Sequence, residues 1–187
     1  MTALNGIHPA SPAAPAAARG RYLHEVLRIL AGVALLTVSA RIALPAQPVP
    51  ITAQTLAVML LGALLGPQRG TLSVLTYLAV GATGVPVFAG GGGLPYMLGP
   101  TGGYLIGFVP AAWLAGAMIG RGRTFRPVTT AAAFTLSTAV LFAFGLAWLS
   151  VYVPSFGKLM MAGLVPFLPG AAVKITVACL VVARMRR

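Results

Sequence analysis

Residues 26–43 form an almost unbroken apolar run that predicts a first helix, followed by Leu44-Pro45-Ala46-Gln47-Pro48-Val49-Pro50. Proline removes a backbone donor and clashes with the preceding turn, so this segment reads as a short extramembrane loop. A second apolar run, residues 51–65, opens with Thr52 and Gln54 near its mouth and ends at the polar turn Gly66-Pro67-Gln68-Arg69-Gly70. A third, shorter helix is predicted over residues 71–82. The next stretch, GVPVFAGGGGLPYMLGPTGG over residues 84–103, is too rich in glycine and proline for an ordinary helix. Helix four then covers about residues 101–120, a basic loop follows at 121–127, and helix five covers 128–150. Pro154, Pro166 and Pro169 leave room for a short helix between them, and helix six runs over about 170–183 before Arg184-Met185-Arg186-Arg187.

The pattern is that of an all-α integral membrane protein with six transmembrane helices. Composition agrees: 58% of the 187 residues are hydrophobic and 7% charged, against about a quarter charged in a soluble domain. So much apolar surface exceeds what a core of this size buries, and a lipid bilayer must cover the rest. Residues 1–20, rich in alanine and proline and without the apolar centre of a signal peptide, read as a disordered cytoplasmic tail. Residues 21–187 read as one membrane domain.

The net charge of +12 comes from thirteen Lys and Arg against a single acid, Glu25. These cations stand in ones and twos at the ends of apolar runs, as topology signals do, and not in a phosphate-binding stripe, which argues against nucleic acid as a partner. With six crossings and both termini cytoplasmic, Arg19, Arg21, Arg28, Arg69, Arg121, Arg123, Arg126, Arg184, Arg186 and Arg187 fall inside. Arg41, Lys158 and Lys174 do not. Small residues at Gly103, Gly107, Ala111 and Ala115, with Ala112, Gly116 and Gly120 beside them and Gly62 and Gly66 on helix two, let helix backbones approach closely. Packing within the bundle accounts for them, with a homo-oligomeric contact as the alternative.

Acid–base catalysis needs positioned titratable groups, and one acid with two histidines, His8 and His24, all near the tail, argues against an enzyme. No Gly-Lys-Ser/Thr follows the glycines, so ATP hydrolysis is not expected of this chain. Cys179 has no second soft ligand, and no metal or cofactor is expected. A membrane-embedded pocket remains. The loop of Gly90, Gly91, Gly92 and Gly93 offers backbone groups to it, with Phe88, Tyr96 and Tyr104 as flanking aromatic surface. Lys174 is the sharpest signal, because an ammonium inside an apolar helix costs several kcal/mol unless a partner compensates it. No acid near it in sequence does so, and a ligand carboxylate suits it.

Five segments occur in order: Pro48-Val-Pro-Ile-Thr-Ala-Gln-Thr55, Leu65-Gly-Pro-Gln-Arg-Gly70, Gly84-Val-Pro-Val-Phe-Ala-Gly90, Leu98-Gly-Pro-Thr-Gly-Gly-Tyr104, and Pro166-Phe-Leu-Pro-Gly170 with Lys174. Together they resemble BioY, the biotin-binding S component of energy-coupling factor (ECF) vitamin transporters. The resemblance implies a bacterial cytoplasmic-membrane protein that captures biotin from outside and works with a transmembrane coupling protein and ATPase subunits. It also implies an outer pocket in which Lys174 binds ligand and the Gly90 to Gly93 loop closes over it. Two positions depart from the family. Ala171 stands where an acid is common, so a polar contact at the ureido ring or beside the lysine is missing; loop backbone groups replace it, affinity falls, or the ligand is a different carboxylate. The small pair expected on helix one for docking the coupling protein is reduced to Ser39 and Ala43. The alternatives are an S component for another small vitamin, or a membrane scaffold that transports nothing.

Overall fold

A computed structural model describes residues 14–120 and 125–186, with side chains from residue 20 onward. Residues 1–13 with His8, the Arg19 side chain, Arg121, Arg123 and Arg187 lie outside the described residues. In order come α1 (Ala14–Arg41), β1 (Ala43–Leu44), β2 (Ile51–Thr52), α2 (Gln54–Leu65), α3 (Pro67–Ala82), α4 (Leu94–Leu98), α5 (Gly102–Ile119), α6 (Pro127–Leu149), α7 (Phe156–Gly163) and α8 (Phe167–Met185). The protein is mostly helical, and stretches at Gly20–Arg41, Gly102–Ile119, Pro127–Leu149 and Phe156–Met185 are long and apolar enough to cross a membrane. Helix α2 is apolar too, but its 12 residues rise only about 18 Å, short of a hydrocarbon core about 30 Å thick.

Several boundaries differ from the sequence expectation for physical reasons. Helix α1 starts at Ala14, so residues 14–20 are helical; alanine's high helix propensity extends the first apolar helix backwards. It stops at Arg41, and Ala43 and Leu44 pair antiparallel with Thr52 and Ile51 across the proline segment. The protein is therefore not purely α. The turn between α2 and α3 is Gly66 alone, at φ 83°, because Pro67 carries the helical φ and serves as the first residue of α3. In the glycine-rich stretch a five-residue helix, α4, does form, seeded by Pro95 in its first turn. Helix α8 opens at Phe167 with Pro169 in its first turn, where the missing donor has no intrahelical acceptor to lose. The short helix expected among the prolines is α7.

Helices α2 and α5 meet backbone to backbone. A Cβ on Gly62 would lie 2.2 Å from the Ala112 carbonyl oxygen, and one on Gly116 would lie 2.8 Å from the Gly62 carbonyl oxygen. Farther along α5, Gly103 and Gly107 receive Trp148, Phe144 and Leu141 of α6. The small-residue stripe is thus used inside the bundle.

Polar ties distinguish the two ends of the bundle. At one end Glu25 of α1 accepts from Arg28 (3.0 Å) and from Arg69 at the start of α3 (2.6 Å). Beside them Arg186, just past α8, donates to the carbonyls of Ala63 (3.0 Å), Ile119 (3.3 Å) and Gly120 (2.7 Å). These carbonyls close α2 and α5 and have no partner within their own helices. The opposite end gathers the β1–β2 connection, the glycine-rich segment and α7. There Arg41 donates to the Pro86 carbonyl, Tyr152 to Leu98, Trp148 to Gly99 (3.0 Å) and Tyr104 to Gly163 (2.7 Å).

Candidate ligand-binding site

At this second end a narrow cavity of about 30 Å³ lies between the helices, below the usual range for small-molecule sites, so a bound molecule would have to part its walls. Tyr104, Leu105 and Phe108 of α5, Leu141 and Phe142 of α6 and Phe167 of α8 form its apolar wall. Tyr104 stacks on Phe167 with centroids 5.9 Å apart, and Phe142 meets Phe167 edge-on at 6.0 Å. Such a wall suits a flat or aliphatic body. Val49, Pro50, Thr52, Gln54 and Thr55 line the other side, with Ala89, Tyr96 and Thr101 above.

The glycines have a different part from the one expected. None of Gly90, Gly91, Gly92 and Gly93 lines the cavity. Backbone groups of two of them are engaged: the Phe88 N–H donates to Gly91 O (2.8 Å), the Gly91 N–H to Phe88 O (3.2 Å) and the Gly93 N–H to Gly81 O of α3 (2.7 Å). Gly91 and Gly93 hold φ of 130° and 92°, conformations other residues rarely adopt. A Cβ on Gly92 would sit 2.3 Å from the Val85 carbonyl oxygen. The glycines therefore shape a compact turn that presents Ala89 and Tyr96 to the cavity. Phe88 lies wholly buried behind Tyr96, stacked on it at 5.4 Å and edge-on to Tyr77. It supports the wall without forming it.

Gln54, a polar residue in an apolar run, is 3% exposed. Its amide donates to the Tyr77 hydroxyl (2.7 Å), which donates to the Val87 carbonyl (3.1 Å), while the Thr52 hydroxyl donates to the Gln54 amide oxygen (3.2 Å). This chain joins α2, α3 and the glycine loop, and burying any member unpaired would cost about 1–3 kcal/mol. Thr55, next on α2, carries a buried hydroxyl without a partner among the described residues.

Lys174 stands on the cavity wall and donates to the backbone carbonyl of Thr52. An ammonium has three donors, so two remain. The only acid of the chain, Glu25, is at the far end of the bundle. Among the described residues no carboxylate meets this ammonium, and an anionic ligand group is the partner it suits.

The structure brings Lys174, Tyr96 and Tyr104 to one cavity and leaves Phe88 and the glycines behind it. Ser39 and Ala43 do not form a helical pair: Ser39 is buried with its hydroxyl on the Leu36 carbonyl (2.9 Å), and Ala43 lies past the end of α1, in β1. Ala171 is half-buried against the core and lines no part of the cavity. Sequence reasoning missed Thr55, Phe108, Phe142 and Phe167 as lining residues and noted Thr52 and Gln54 only as a helix mouth. A glutamine and two threonines in an otherwise apolar run were the available signal.

The BioY family model matches residues 11–187 of the chain. A Pyrococcus horikoshii protein named "Probable biotin transporter BioY" is 40% identical over 163 residues, covering 87% of this chain and 96% of its own. The Thermotoga maritima protein named "Biotin transporter BioY" is 38% identical over 155 residues, 82% of this chain and 90% of its own. Its Rhodobacter capsulatus namesake is 42% identical over 146 residues, 71% of this chain and 76% of its own. Among solved structures, the S-component for biotin from an ECF-type ABC transporter superposes with a TM-score of 0.77 at 26% identity, covering 89% of this chain and 93% of that one. The apolar helices and these matches make the chain a multi-pass membrane protein. It belongs to the BioY family.

Proposed function

We propose that this chain is the substrate-capturing S component of an ECF-type transporter and takes up biotin across the bacterial cytoplasmic membrane. One observation carries the reading: the Lys174 ammonium lines a cavity with an aromatic wall, and no carboxylate among the described residues meets it. The aromatic wall of Tyr104, Phe142 and Phe167 receives the fused ring and aliphatic chain of biotin, and Lys174 takes its carboxylate. The S-component likeness supports partners of the same kind, a transmembrane coupling protein with ATPase subunits, and the chain's own lack of a nucleotide motif agrees with drawing energy from them.

In this reading α1, α2, α3, α5, α6 and α8 are the six crossings, and both termini are cytoplasmic. The Glu25–Arg69 pair and the bonds of Arg186 to the ends of α2 and α5 support one basic end, and short Arg-bearing loops mark the cytoplasmic side. The cavity then opens outward.

Equilibrium binding of labelled biotin to purified protein tests the proposal. Saturable binding is expected, and Lys174→Ala loses roughly 2–5 kcal/mol of affinity, because the ligand carboxylate is left buried without its partner. Absence of saturable binding, or displacement of biotin by other vitamins at equal concentration, overturns the ligand. Parent-like affinity in Lys174→Ala overturns the role of the lysine.

A further inference from the structure

Thr55 lacks a bond that several other helical hydroxyls of this protein make. Thr37, Ser39, Ser73, Thr76, Ser137 and Thr176 each donate to the carbonyl three or four residues earlier on their own helix. This is the ordinary way a hydroxyl is satisfied in an apolar helix. Thr55 does not do so: its oxygen is buried, and it has no partner among the described residues. The carbonyl three residues earlier belongs to Thr52 and is the one that Lys174 holds. Thr71 also lacks a partner, but it is on α3 and outside the lining of this cavity. Thr55 and Lys174 line the same cavity, and the carbonyl that anchors the lysine belongs to β2, three residues before Thr55.

A buried hydroxyl without a partner is a standing cost to the empty protein, and a ligand oxygen placed there removes it. Gln54 and Tyr77 cannot supply that oxygen, since their groups are engaged with each other and with Thr52 and Val87. We infer that the Thr55 hydroxyl is a second ligand contact, donating to the same carboxylate that Lys174 addresses. The inference rests on the proposed capture of biotin and adds a determinant to it. The carboxylate is held by a charge at one oxygen and by a neutral donor of fixed direction at the other. A point charge on a flexible stem selects for negative charge, whereas the threonine, held on a helix, selects for where that charge ends.

The test compares parent, Thr55→Val and Thr55→Ser for binding of biotin and of an analogue with a methyl group in place of the carboxylate, together with ligand-free melting temperatures. Valine keeps the shape and removes only the hydroxyl. Thr55→Val is expected to melt no lower than the parent, because no internal bond is lost, and to bind biotin about tenfold more weakly or worse. Thr55→Ser stays within about twofold of the parent, and the methyl analogue binds parent and Thr55→Val equally. Unchanged biotin affinity in Thr55→Val overturns the inference, as does an equal loss for both ligands or a clearly lowered ligand-free melting temperature. A parent that binds no biotin overturns the proposed function along with it, whereas a parent that binds normally beside an unaffected valine variant sinks this contact alone.

Discussion

The two ends of the bundle solve the same problem, satisfying backbone groups where helices stop, by different means. At the basic end the connections are short. A single residue, Gly66, joins α2 to α3, and three helix-terminal carbonyls are closed by one guanidinium, that of Arg186. At the cavity end the connections are long and irregular, and Arg41, Tyr104, Trp148, Tyr152 and Lys174 each reach across to a carbonyl of a different segment. One end is closed by ties to helix termini, the other by ties to loops. The basic end serves stability alone, whereas in the proposed reading the cavity end serves stability and ligand capture together, so that a change at the basic end should leave affinity intact.

Three substitutions press on that separation. Arg186→Ala strips the closing donor from the Ala63, Ile119 and Gly120 carbonyls. It is expected to destabilise the protein by about 2–3 kcal/mol, read as a lower melting temperature in detergent, with biotin affinity of the folded fraction unchanged. A loss of affinity equal to the loss of stability would erase the distinction between the ends. Gly92→Ala drives a methyl group onto the Val85 carbonyl and forces the glycine turn to shift. Here affinity should fall with stability, each by about 1–2 kcal/mol, measured by binding isotherms beside melting curves. The smallest effect belongs to Glu25→Gln. Glu25 and Arg69 are about a third exposed, so their pair is screened, and removing it should cost under about 1 kcal/mol at low salt. The cost should shrink further in melts run at high salt.

Much of the membrane scaffold was legible in the sequence because apolar runs and their proline or glycine punctuation are local. The proline break after the first helix, the glycine at the α2–α3 turn, the apolar runs of α5 and α6 and the short α7 all follow from neighbours within a few positions. What escaped depends on distant partners. The β1–β2 pairing joins Ala43 to Thr52 across the proline segment, and no local pattern announces a pair of two-residue strands. The glycine run reads as a set of free backbone donors until its hydrogen bonds to Gly81 and Phe88 are seen. Lys174 was conspicuous as a charge in an apolar helix, whereas Phe142 and Phe167 look like any core residue until the fold turns them toward one cavity.

The bond from Lys174 to the Thr52 carbonyl spans 122 residues of sequence and fastens the last helix to the first hairpin. Its consequence is one of registration. The carbonyl holds the ammonium in place with two donors unused, so the empty protein keeps its lysine positioned without an acid of its own. In the proposed reading an arriving carboxylate joins that carbonyl instead of replacing it, and the cargo adds to a contact that already links the hairpin to α8.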